Sequence, residues 1–83
     1  MGRAVNLWKL NETSAVIEYR YGPDLDHTGR LSIDNVSGVV TGEEPVPGMT
    51  PDESWFLYGM LAKARAEKMF KLQDFPDEAY MAT

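Results

Sequence analysis

The stretch that decides the fold is residues 14–21, which read Ser-Ala-Val-Ile-Glu-Tyr-Arg-Tyr. Successive side chains of a β-strand point to opposite faces of its sheet. One face of this stretch is apolar and aromatic, and its members are Ala15, Ile17, Tyr19 and Tyr21. The other face is polar and carries Glu18 and Arg20. The alternation predicts a strand with one face in the core and the other in solvent.

A second strand is predicted at residues 30–34, where Leu31 and Ile33 alternate with polar residues. Turn-forming residues between the two stretches predict antiparallel pairing across a loop at 22–29. Charged residues on the polar faces of both stretches predict ion pairs between the strands.

Two further strands complete a predicted meander. Residues 3–10 are rich in apolar side chains, but Val5 and Leu7 favour one face while Trp8 favours the other. Leu10 favours the same face as Trp8. This pattern indicates either a β-bulge or a strand that is covered on both sides. Residues 39–41 form a short fourth strand, and the meander is expected to end at Gly42.

A helix start follows the Pro- and Gly-rich segment 43–50. Thr50 is a capping residue, Pro51 stands at the first helical position, and Glu53 follows three residues after the threonine, which is the pattern of a capping box. The helix is therefore predicted over 51–73, before Pro76.

One side of this helix is free of charge and is predicted to lie on the sheet. Its members are Trp55, Tyr58, Gly59, Ala62, Ala66, Met69 and Phe70. The expected fold class is therefore α+β, a four-stranded antiparallel β-meander with one long helix on one face, in the order ββββα. The expected organisation is a single domain over 1–83, with the meander at 3–42, a connector at 43–50, the helix at 51–73 and a short C-terminal tail at 74–83.

Composition restricts the possible functions. The 83 residues include no cysteine and a single histidine, His27, so disulfides and zinc sites built from cysteine or clustered histidine are excluded. The net charge is −5, and no apolar run approaches the roughly 20 residues that span a bilayer. We expect a cytoplasmic protein without a cofactor and without membrane partners.

Nucleic-acid binding is not expected, because basic residues gather only in the second half of the helix. They are Lys63, Arg65, Lys68 and Lys71. Cations at a helix C-terminus are stabilised by the helix dipole, which explains their position without a nucleic-acid ligand.

The first half of the helix carries apolar residues outside the sheet-facing side. We call the set of Phe56, Leu57, Met60 and Leu61 the helix patch. It is either a wider core, covered by the connector and the C-terminal tail, or an exposed surface that contacts another protein or a second copy of the chain. The leading hypothesis is a non-catalytic interaction or assembly module that forms a homodimer or docks on a larger protein through this patch.

An alternative function is calcium binding at the loop that begins with Asp24. Asp24, Asp26 and Thr28 stand at positions one, three and five of a calcium-loop pattern, and Gly29 stands at position six. The twelfth position holds Asn35 instead of glutamate. Aspartate and glycine are equally typical of an ordinary hairpin.

An enzyme that uses His27 is a further alternative. The sequence places no nucleophile beside this histidine, and no motif combines nucleophile, base and orienting group. We therefore expect a protein that is not an enzyme.

Overall fold

The computed structural model describes residues 3–83, and it shows the expected α+β architecture with one more strand than predicted. The strands are β1 (Ala4–Glu12), β2 (Val16–Asp24), β3 (His27–Asp34), β4 (Val40–Glu44) and β5 (Glu78–Ala82). They form an antiparallel sheet in the order β4-β3-β2-β1-β5. The helix of residues 51–72 lies on one face of this sheet.

The helix has three parts. It begins as α1 (Pro51–Ser54), continues through a π-helical segment (Trp55–Gly59), and ends as α2 (Met60–Leu72). Gln73 follows in the left-handed conformation with φ 51° and caps α2, because its N–H reaches back to the carbonyls of Met69 and Phe70.

The core lies between the helix and the apolar sheet face that the strand patterns predict. Its strand members are Val5, Leu7, Ile17, Tyr19, Tyr21, Leu31 and Ile33, and all are buried. From the helix, Ala62, Ala66 and Met69 complete the core, with Trp55, Tyr58 and Phe70 partly buried around them. Fully burying one of the large side chains contributes about 1.5–3 kcal/mol, so this layer accounts for most of the stability of the fold.

The prediction of four strands is wrong by one, because the tail forms β5 beside β1. Glutamate and alanine have little intrinsic preference for strands, so the tail carries only a weak strand signal of its own. The open edge of β1 supplies the backbone partners that make residues 78–82 extended.

Two expected boundaries also differ. β4 continues to Glu44, so the meander does not end at Gly42 and the first two residues of the expected 43–50 connector belong to the sheet. The prediction of a long loop at 22–29 is wrong, because β2 and β3 extend until only Leu25 and Asp26 separate them.

β1 has a bulge between Lys9 and Asn11. A bulge is one of the two explanations that the mixed pattern of this strand allowed.

Candidate interaction surface

The sequence positions the helix start through a complete capping box. The Thr50 hydroxyl accepts the Glu53 N–H at 3.2 Å, and the Glu53 carboxylate accepts the Thr50 N–H at 3.2 Å. Pro51 occupies the first helical position, where no N–H is needed. The predicted start of the helix is therefore confirmed in detail.

Ser54 joins this helix start to the sheet. Its buried hydroxyl accepts the Val46 N–H at 2.8 Å and lies 3.0 Å from the Tyr21 hydroxyl. Val46, in the connector, is itself buried in the core. The connector is thus a packed part of the fold, which the Pro- and Gly-rich pattern did not indicate.

The π-helical segment coincides with the apolar half of the helix. The Met60 N–H bonds to the Trp55 carbonyl, five residues back. The Trp55 ring packs against Gly59 and Gly42 and makes an edge contact with Tyr21, with ring centroids 6.3 Å apart and planes at 85°. The wider turn is an irregularity that occurs often at functional sites. The capping box and the apolar periodicity of the helix do not predict this wider turn.

The structure divides the helix patch into two pairs. Phe56 and Met60 point away from the sheet, with 59% and 56% of their surface exposed. Leu57 and Leu61 are half-buried, and Leu61 packs against the core. The wider-core explanation therefore applies to Leu61, while Phe56 and Met60 are open to solvent and Leu57 lines a surface depression beside Arg3.

Arg3 contributes to this surface, which sequence analysis missed. Its guanidinium lies 4.5 Å from the centre of the Phe56 ring and donates to the Phe56 carbonyl at 3.1 Å. A cation over an exposed aromatic ring contributes about 0.5–1 kcal/mol. Fifty-three positions separate the two residues, so only the fold could bring them together. A shallow depression of about 250 Å³ lies beside them, lined by Arg3, Ala4, Pro23, Leu57 and Tyr58.

The residues of the calcium hypothesis lie on a tight hairpin and not in an open loop. The Asp24 carboxylate accepts the Asp26 N–H at 2.9 Å and bonds to the His27 ring at 2.8 Å, and Thr28 already belongs to β3. Within residues 3–83, no group of three acidic or histidine side chains is arranged to hold a metal ion. The geometry gives the calcium hypothesis no support.

His27 is exposed at the end of this hairpin. Its hydrogen bond to Asp24 raises the pKa of His27, and the same bond lowers the pKa of Asp24. Both shifts follow from a pair that is stable when both groups are charged. The described contacts of His27 are with this carboxylate, and a role in stabilising the turn accounts for them.

The open sheet face carries the expected ion pairs between strands. Arg30 bonds to Glu18 at 3.3 Å and to Glu44 at 3.1 Å. Tyr80 on β5 is 59% exposed. No helix in the described part of the chain is long and apolar enough to cross a membrane.

Comparison with protein-family models finds no match, and comparisons with curated proteins and with solved structures find none either.

Proposed function

We propose that this chain acts by contact with another protein, and that the exposed part of the helix patch is the contact surface. The observation that carries the proposal is the outward orientation of Phe56 and Met60 on adjacent turns of the helix. Large apolar side chains grouped in this way are typical of surfaces that become buried in a complex.

The surroundings of the patch support this proposal. Phe56 and Met60 lie at or beside the π-helical segment, and Arg3 adds a cation at their border. Aromatic residues, methionine and arginine are enriched at protein interfaces, whereas lysine and glutamate are depleted there. The helix patch and its border have the composition typical of interfaces, with phenylalanine, methionine and arginine. The later turns of the helix carry Lys63, Glu67 and Lys71, which are residue types depleted at interfaces.

The test is substitution of Met60 by glutamate, which places a charge in the patch without touching the core. We expect Met60→Glu to weaken the association of the chain by tenfold or more, because a buried unpaired charge is costly to desolvate (about 1.4 kcal/mol per tenfold). Sedimentation velocity over a dilution series measures the change. For a foreign partner, pull-down followed by titration calorimetry measures it.

Val36→Glu is the matched control. Val36 is 83% exposed in the turn after β3, and the substitution changes the net charge by the same amount. We expect this variant to associate as the unchanged protein does. Equal association of both variants and the unchanged chain would rule out the patch as the contact surface, provided circular dichroism shows that all three fold.

A further inference from the structure

The free edge of β5 is the least protected edge of the sheet. β5 and β4 are the two edge strands. β4 has a bulge opposite Arg30 and Leu31, carries Glu43 and Glu44, and is followed by Pro45. Bulges, charges and proline are the features that prevent edge strands from pairing with other chains. Residues 78–82 of β5 contain none of these features except one charge, on Glu78.

The register of β5 against β1 identifies which backbone groups are free. The Thr83 N–H bonds to the Arg3 carbonyl at 2.9 Å, and the Lys9 N–H bonds to the Asp77 carbonyl at 2.8 Å. Since the register between these two bonds is continuous, odd-numbered residues of β5 direct their backbone groups towards β1. The outward groups belong to Glu78, Tyr80 and Ala82, which within residues 3–83 make no hydrogen bond to any other element.

This edge is complementary to itself. The outward residues are centred on Tyr80, so an antiparallel copy related by a twofold axis at Tyr80 would match every outward N–H with an outward C=O. Tyr80 would face Tyr80 of the second copy, and Glu78 would face Ala82. No like charges would stand opposite each other. On the helix side of the sheet, Ala79 would face Met81 of the second copy.

We propose that two copies of this chain pair through β5 in this register and form one continuous antiparallel sheet. The inference rests on the proposed role of the chain in contact with another protein, since it names a second copy as that partner. The patch is close to this edge, because Arg3 binds Phe56 and also accepts the Thr83 N–H at the end of β5. α2 itself packs over β5 and β1.

A charge placed at the twofold axis tests the register. In Tyr80→Lys, two lysines would face each other, so we expect dimerisation to weaken about tenfold. Ala82→Lys is the control on the same strand and the same face, because its lysine would face Glu78 of the second copy and the dimer should persist. Sedimentation equilibrium measures both variants. Mixing Tyr80→Lys with Tyr80→Glu should restore a dimer, since opposite charges then meet at the axis.

Amide exchange provides a second readout that the helix patch cannot produce. In the dimer, the amides of Glu78, Tyr80 and Ala82 should be protected together with those of Ala79 and Met81. In dilute protein, and in Tyr80→Lys, only the amides of Ala79 and Met81 should remain protected, because their partners are on β1.

Three results would overturn the pairing. The first is a chain that stays monomeric at every concentration at which it dissolves. The second is that Tyr80→Lys and Ala82→Lys weaken the dimer equally. The third is that the amides of Glu78, Tyr80 and Ala82 exchange at the same rate at all protein concentrations. If Met60→Glu abolishes the dimer and Tyr80→Lys does not, the β5 pairing is wrong and the helix patch stands as the contact surface. If Tyr80→Lys abolishes the dimer and Met60→Glu does not, the helix patch is wrong as the contact surface and the β5 pairing stands.

Discussion

At the scale of single residues, Gly59 shows how closely the helix start is fitted to its neighbours. A Cβ atom at this position would lie 2.7 Å from Cδ2 of the Trp55 ring and would overlap the adjacent Cε3 atom. The ring is held on its other side by Gly42 and Tyr21. Glycine is therefore required by the space available and not by backbone conformation, since φ here is an ordinary helical −63°.

Gly59→Ala should destabilise the fold even though alanine is the better helix former. Alanine normally gains about 0.5–1 kcal/mol over glycine inside a helix. Here the displaced Trp55 ring should cost about 1–3 kcal/mol in overpacking, so the net free energy of unfolding should fall. Urea denaturation measures it, with fluorescence of Trp55 followed in a Trp8→Phe background. A more stable Gly59→Ala protein would show that the ring has room to move.

At the scale of elements, the helix and the sheet are joined by a buried polar contact as well as by apolar packing. The Ser54 hydroxyl serves both the Val46 N–H and the Tyr21 hydroxyl, so it connects α1, the connector and β2. Buried polar groups need such partners, because an unpaired donor costs about 1–3 kcal/mol.

Ser54→Ala should lower the free energy of unfolding by about 2 kcal/mol, because it leaves the Val46 N–H without its partner. Thr50→Ala, which removes an exposed cap four residues earlier, should cost about 1 kcal/mol. Adding Tyr21→Phe to Ser54→Ala should cost less than Tyr21→Phe alone, since the two hydroxyls serve each other. Chemical denaturation of the four variants tests this order, and strictly additive losses would contradict the contact.

At the scale of the whole molecule, Tyr19 holds the C-terminal segment against the sheet. Its hydroxyl donates to the Pro76 carbonyl at 2.6 Å, and the ring is buried in the core. Burial raises the pKa of Tyr19 to about 12, and burial also raises the pKa of Tyr21. The folded chain therefore resists losing these protons more than the unfolded chain does.

This difference predicts a loss of stability in alkali. Above the ordinary tyrosine pKa of 10.0, the unfolded chain releases the Tyr19 proton while the folded chain keeps it, so stability falls as the pH rises towards about 12. At the upper end of this pH window, the loss of stability that is due to Tyr19 should reach about 2 kcal/mol. Tyr19→Phe should cost about 1 kcal/mol at neutral pH and show a flatter decline above pH 10. Urea denaturation at several pH values measures both slopes, and parallel slopes would contradict the prediction.

The sequence by itself determined the two layers of this protein. The alternation of residues 14–21 and 30–34, the capping box at Thr50 and the charge-free side of the helix are local patterns, and each depends on geometry that a few neighbouring residues set. The same patterns identified the helix patch, but they could not divide it between core and surface.

Tertiary structure decided the remainder, because those features depend on partners that are distant along the chain. β5 is extended because β1 offers it an open edge. Arg3 contacts Phe56 across fifty-three positions of the chain, and the Val46 N–H bonds to the Ser54 hydroxyl across eight. A weak local preference leaves such segments undetermined until long-range contacts form. The two surfaces proposed here to bind other chains, the exposed patch and the β5 edge, are both defined at this level.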